Sequence, residues 1–399
     1  MHAHDPSHAT AGNMERLNDM IQKLTADSTK IDRHMVERIL IVYEEPEFFI
    51  GDSCIMFDKF KACKQYFANA GVDINFNVRV YADAYSALLK ANPYIDGIFD
   101  LDWKDIDYNR YDLVFCVTAQ EDVLLEIVCR KHESEIEDGT FHAAFFSFSK
   151  QLLTDPEADR LVFPSYPAFF AYCSGDLGPM ELYIDEEERA WADAWLGEKG
   201  LKKNEKLLVI LDSTTVKSKL LKMPVYYELL MKLLALPDIR ILIFDEKNIG
   251  KEGFYRQLLG PEAAQKFIFS NGLELRKAIV LLGSVNVRLI FGPCTGLMHC
   301  ASGIYNYFVR TGLDRHKVPL MITYTGKYHK KNENAYYWWN NAPLMNCMII
   351  RQKNGQKEMV LLNNLTETEK SAVGNTLDCA EYTPGMILDF LNRHLKLDY

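Results

Sequence analysis

The residues from Val287 to Ala301 read V-R-L-I-F-G-P-C-T-G-L-M-H-C-A: a short apolar run stops at Gly-Pro, and a helical pattern begins after Thr295-Gly296. A strand feeding a glycine turn that opens a helix makes an anion site. The first helical N–H groups have no backbone partner, and the helix end carries roughly half a positive charge. Gly296 lets the backbone approach an anion closely, and Thr295 adds a hydroxyl. His299 can donate to a phosphate or a ribose oxygen, with a buried, hydrogen-bonded core histidine as the competing reading. Two other groups suit the same chemistry. Ser213, Thr214 and Thr215 follow the apolar run Leu207 to Leu211, and Lys217, Lys219 and Lys222 come close behind as cations. Asp52, in F-F-I-G-D-S-C, follows a glycine that permits a sharp turn and suits a general base at a loop rim. Its plainer role is N-cap of a helix starting at Ser53.

These groups must be held by strands and helices in alternation. In the first half, strands are expected at 38–43, 75–80, 97–101 and 113–117, and helices at 53–69, 83–91, 123–132 and 141–153, after a polar tail and an appended helix within residues 1–37. A loop-rich stretch and a charged helix at 185–196 then lead to a boundary at 196/197. Beyond it come strands at 207–211, 240–244, 266–269 and 287–291 and helices at 225–236, 254–259 and 273–282. Such alternation implies parallel sheets covered on both faces. The expected class is α/β, with Rossmann-like domains at 38–196 and 197–383.

The segment G-P-C-T-G-L-M-H-C-A resembles the G-P-D-T-G-x-x-H-x-A-A element of glycosyltransferase family nine, the lipopolysaccharide heptosyltransferases. N-P-Y-I-D-G-I-F-D-L at 92–101 is similar to the family's N-P-x-I-D stretch. P-V-Y-Y-E-L-L-M-K-L-L at 224–234 looks like the helix after its K-x-W-P segment. The resemblance spans about Arg38 to Tyr324. It implies a GT-B fold, two Rossmann-like domains facing each other across a cleft, with an acceptor domain first and a donor domain second. A final helix, 384–397, is implied to cross back onto the first domain. Thr295, Gly296 and His299 are then expected at the diphosphate of a nucleotide sugar, with Ser213, Thr214 and one lysine; Lys222 is preferred, with Lys219 next. Asp52 matches the family's proposed catalytic base. Cys294 stands where the family has Asp, a residue expected to contact the donor sugar. The implied reaction is inverting, metal-independent transfer of a sugar, heptose from ADP-heptose in the family, to an acceptor hydroxyl. Cys294 keeps two alternatives open: another sugar nucleotide used on a glycan, protein or small-molecule acceptor, or a sugar-nucleotide-binding protein without turnover.

The rest of the chain narrows the field. A net charge of −10, from 45 basic and 55 acidic residues, opposes nucleic acid as a partner and leaves only local, peripheral membrane contact open. No apolar run approaches the roughly 18 residues that span a bilayer, and the expectation is a cytoplasmic protein. The nine cysteines include no C-x-x-C pair and read as reduced, buried thiols. Asp100-Leu-Asp102 imitates a metal-holding D-x-D but falls in the first domain and reads as a solvated rim, so neither metal nor cofactor is expected. His2, His4, His8 and Asp5 read as a disordered tail before a metal site. Lys59, Lys61 and Lys64 read as a solvated helix face, and Tyr336 to Trp339 as packing in preference to stacking on a ligand. There is no G-x-S-x-G, H-E-x-x-H, G-x-x-x-x-G-K-[ST] or G-x-G-x-x-G to anchor a hydrolase, zinc protease, P-loop or dinucleotide enzyme.

Overall fold

The computed structural model describes residues 11–25, 28–44, 48–81, 83–149, 162–175, 177–214, 216–327, 335–371 and 376–395; the N-terminal histidines and Thr215 lie outside them. The chain divides into two units, Met1–Phe48 with Met56–Leu177, and Phe49–Ile55 with Gly178–Tyr399.

In the first unit α1 (Ala11–Leu24) precedes β1 (Arg38–Glu44), α2 (Ile50–Ala68, whose start through Ile55 belongs to the second unit), β2 (Asn75–Val80), α3 (Asp83–Leu89) and β3 (Gly97–Phe99). Then come β4 (Leu113–Thr118), α4 (Glu121–Lys131), α5 (Glu133–Glu137), β5 (Ala144–Ser147) and α6 (Pro167–Cys173). The sheet order is β3-β2-β1-β4-β5, parallel throughout. Ile39 through Val42 of β1 are fully buried, as a strand covered on both faces requires. The stretch 141–153, expected as a helix, instead supplies β5, which pairs Ala144 with Leu113 and Phe145 with Val114. Its aromatics explain the outcome: Phe145 joins the core with Leu40, Val114 and Phe163, while Phe146 packs on Phe115 and Tyr166. Bulky aromatics pack better from a pleated surface between two layers than from a helix.

The second unit runs α7 (Glu186–Glu198), β6 (Lys206–Ile210), α8 (Met223–Leu234), β7 (Ile239–Ile243), α9 (Lys251–Leu259), α10 (Pro261–Ala264), β8 (Phe267–Phe269), α11 (Leu275–Leu281), β9 (Val287–Pro293) and α12 (Gly296–Arg310). It ends with β10 (Leu320–Tyr324), α13 (Ala335–Trp339), β11 (Met345–Lys353), β12 (Gln356–Leu361), α14 (Glu367–Ser371) and α15 (Pro384–His394). The seven strands are ordered β12-β11-β10-β9-β6-β7-β8, parallel except for the β11–β12 hairpin. That hairpin, absent from the sequence expectations, turns at Asn354 (φ 52°) and Gly355 (φ 79°), the left-handed pair that a two-residue turn needs.

Two sequence expectations about organisation change. The second unit begins at Gly178, not 197, because α7 is anchored there: Arg276 of α11 donates from Nε to Glu188 at 2.8 Å, and Asn306 of α12 donates to the Met180 carbonyl at 2.9 Å. Helix α15, expected on the first domain, belongs to the second unit. Thr383 caps it, and Ile387, Phe390 and Leu391 enter the second unit's core with Leu229 and Leu233 of α8 and Ile241, Ile322 and Met348 of the sheet. The architecture is α/β, two Rossmann-like domains of the GT-B plan.

Candidate functional site

The glycine turn after β9 folds as its sequence suggests. Thr295 is the N-cap of α12 in extended conformation, with no capping bond from its side chain, and the helical backbone bonds begin with Met298 and His299 donating to its carbonyl. The amides of Gly296 and Leu297 therefore stand at the open, positive end of the helix with the Thr295 hydroxyl beside them. A second helix start meets this one. A side chain on Gly296 would lie 2.4 Å from Cβ of Ile50 and 3.1 Å from the Gly51 amide, and one on Gly51 would lie 3.0 Å from the His299 ring. At Gly296 only glycine permits this approach, while at Gly51 a side chain would be tight against the ring. Segment Phe49–Ile55 accordingly belongs to the second unit, and it carries Asp52. The helix starts three residues before Ser53, so Asp52 is an exposed member of its first turn and not its N-cap.

His299 is buried, with its ring stacked on Trp339 at 4.1 Å and edge-on to Trp338 at 5.7 Å. Burial, reinforced by the Lys219 ammonium, pushes its pKa down to about 3, so the imidazole is neutral at ordinary pH. It can offer one N–H and one lone pair, not a charge. Lys219, at the end of the short 3-10 turn Lys217–Lys219, thus places its charge at His299; Lys222, the exposed N-cap of α8, acts instead on Glu381. Both lysines lie in the loop between β6 and α8, and Lys219 is the one whose charge is felt at His299. Cys294 is buried and its amide donates to the Tyr324 carbonyl at 3.0 Å. Its neighbours are thiols: burial holds Cys347 well above the usual range and pushes Cys379 up to about 12, with Cys294 adding to both.

Ser213 and Thr214 lie at the C-terminal end of β6, next to β9 in the sheet. Ser213 is exposed and accepts from Lys251, while Thr214 accepts from the Val216 amide at 3.4 Å. Lys251 was not anticipated from sequence, nor was Asp212, with which it pairs at 2.5 Å. Asp212 immediately precedes Ser213 at the strand end, the one signal that marked it; Lys251 is 38 residues away and carried none. Asp245, at the end of β7, accepts the amides of Ile249, Gly250 and Lys251, bonds that hold its pKa down against burial and fix the start of α9.

Other sequence-marked groups have local roles. Asp102 caps a 3-10 turn through the Lys104 amide. The three lysines of α2 do not form a solvated face: Lys59 bonds the Cys173 carbonyl, buried Lys61 pairs with Asp58, and Lys64 pairs with Asp96. The aromatic run divides, Trp339 buried and Tyr337 exposed. Among the described residues no group of three His, Cys, Asp or Glu could hold a metal ion, and no helix is long and apolar enough to cross a membrane.

Two Rossmann-like domains, with the glycine turn after β9 in the second of them, make a GT-B architecture. No protein-family model and no curated relative matches the chain. Solved structures do. The ADP-heptose LPS heptosyltransferase II of E. coli superposes with a TM-score of 0.57 at 14% identity, covering 90% of this chain and 98% of that one. A glycosyl transferase of family 9 from Veillonella parvula gives 0.52 at 12% identity, over 78% and 85%. The chain thus has the fold of the family nine heptosyltransferases.

Proposed function

We propose that this protein is an inverting glycosyltransferase that moves a sugar from a nucleotide-diphosphate donor to an acceptor hydroxyl. The observation that carries the reading is the junction at Gly51 and Gly296, where two helix starts meet and Asp52 stands on one of them. The diphosphate would lie on the Gly296 and Leu297 amides and the Thr295 hydroxyl, with Lys219 supplying charge and neutral His299 an N–H. Asp52 would take the acceptor proton as the acceptor oxygen bonds to the anomeric carbon. The bond from that carbon to phosphate breaks with inversion, and the nucleoside diphosphate departs with the electron pair. One helix end, a hydroxyl and one ammonium would answer the leaving-group charge, which supports a reaction without metal. The neighbours' fold and the E. coli protein's printed donor make ADP-heptose the first to try, and buried Cys294 makes other sugar nucleotides the next.

Thermal shift against ADP, UDP, GDP, CMP and their sugar conjugates tests the donor site, since a ligand at about 100 times its Kd adds roughly 2.7 kcal/mol. Turnover of the stabilising donor is then compared in wild type and Asp52→Asn. The variant should lose about 100-fold or more of kcat and keep its nucleotide shift. Undiminished kcat removes Asp52 from the chemistry, and absence of every nucleotide shift overturns the donor site.

A further inference from the structure

We infer that Lys251 is a positioning residue for the donor: its ammonium turns the Ser213 hydroxyl into a dedicated hydrogen-bond donor for a nucleoside diphosphate. This rests on the proposed function and adds a part to it. Nζ of Lys251 lies 2.5 Å from Asp212 Oδ1, 2.7 Å from the Phe244 carbonyl oxygen and 3.2 Å from Ser213 Oγ. An ammonium has three hydrogens, and all three are engaged, so Lys251 does not itself reach for a ligand. What it does is fix others. Asp212 is held from its far side by Tyr255, whose hydroxyl donates at 2.9 Å and is in turn 2.5 Å from that of Tyr226. Lys251 is set by Asp245, which accepts its amide at 3.0 Å. The ammonium is thus clamped between the ends of β6 and β7, adjacent strands of the sheet.

Ser213 is the one exposed member of this network. Its oxygen accepts from Lys251, so its own proton is left for an acceptor outside, and Ser213 makes no other hydrogen bond among the described residues. A hydroxyl that already accepts from a cation is polarised and donates more strongly to an anionic oxygen. Because β6 is next to β9, whose end leads into the Gly296 turn, that donor belongs to the same strand edge as the anion turn.

The test is a double-mutant cycle on ADP, UDP or GDP affinity, whichever binds wild type, by calorimetry. Lys251→Met alone strands the Asp212 carboxylate, so it is made together with Asp212→Asn, and both backgrounds are crossed with Ser213→Ala. Ser213→Ala is expected to weaken binding about 10-fold, as loss of a hydrogen bond to a charged group does. The pair Lys251→Met with Asp212→Asn should weaken it about 3- to 10-fold when Ser213 is present and less than 2-fold in the Ser213→Ala background, the mark of coupling. Lys251→Arg, which retains donors to both partners, should stay within about 2-fold of wild type. Additive losses, or an undiminished affinity in the Lys251→Met with Asp212→Asn pair, overturn the inference while the donor site stands. Failure of wild type to bind any of the three overturns both.

Discussion

Burial against Trp339 keeps the His299 imidazole neutral into acid pH, so it has one N–H and no charge to offer at the glycine turn, and a proton there carries a stability cost. Its pKa in the folded protein, about 3, lies below the ordinary value of 6.5. Between those values the unfolded chain binds a proton that the native protein refuses, so stability falls as pH falls through the window, by up to ~1.4 kcal/mol per pH unit. His299→Gln has no such proton. Urea unfolding at pH 6.5 and 4.5 should therefore show wild type losing roughly 2 kcal/mol more than the variant; equal losses would mean that the native ring protonates freely. Much of the site at this scale was legible: Thr295, Gly296 and His299 sit where a strand–glycine–helix pattern puts them. The lysine was not, because Lys217, Lys219 and Lys222 lie close together in one loop and spacing alone does not tell them apart. Nor was Lys251, whose partners come from two other strands.

Helix α2 and helix α12 meet start to start, and the contact leaves no room for a side chain at Gly296. Cβ of Gly296→Ala would sit 2.4 Å from Ile50 Cβ and 3.1 Å from backbone, so the two helix starts must separate. Overpacking of this kind costs about 1–3 kcal/mol, and the same separation should weaken nucleotide binding. Gly253→Ala in α9 is the control, since nothing lies within 4 Å of its added carbon; it should be neutral or stabilising by up to ~1 kcal/mol. Denaturant midpoints of the two variants, with nucleotide thermal shift of the first, check this pair. An undisturbed Gly296→Ala protein would sink the close approach. Element by element, the alternation of strand and helix was readable from apolar runs. Two failures have definite causes. Residues 141–153 mix helix-compatible spacing with aromatics that the inter-layer core claims for β5. The Asn354-Gly355 pair is a strong hairpin signal for β11 and β12, but it lies past Tyr324, where the family resemblance ends.

On the scale of the whole chain, sequence order and structural membership part company at Phe49–Ile55. Nothing in the local pattern of F-F-I-G-D-S-C separates it from the strand before or the helix after. Its contacts with Gly296 and His299, and that of Cys54 with Cys300 at 3.6 Å between sulfurs, nevertheless place it with residues about 250 positions later. The boundary at Gly178 has the same origin, long-range pairs such as Arg276 with Glu188 that no local composition reveals. This membership has a dynamic consequence. Ligand binding raises the free energy of every opening that must break the bound site, so amides throughout the cooperative unit that holds the site gain protection together. Hydrogen exchange followed by mass spectrometry, with and without the stabilising nucleotide, should show slowed exchange in the peptide covering Phe49–Ile55 alongside Thr295–His299 and Leu211–Thr214. Peptides from β2 and β4 should exchange as before. Protection confined to 211–214 and 295–299 would return Phe49–Ile55 to the first unit and remove Asp52 from the donor's side.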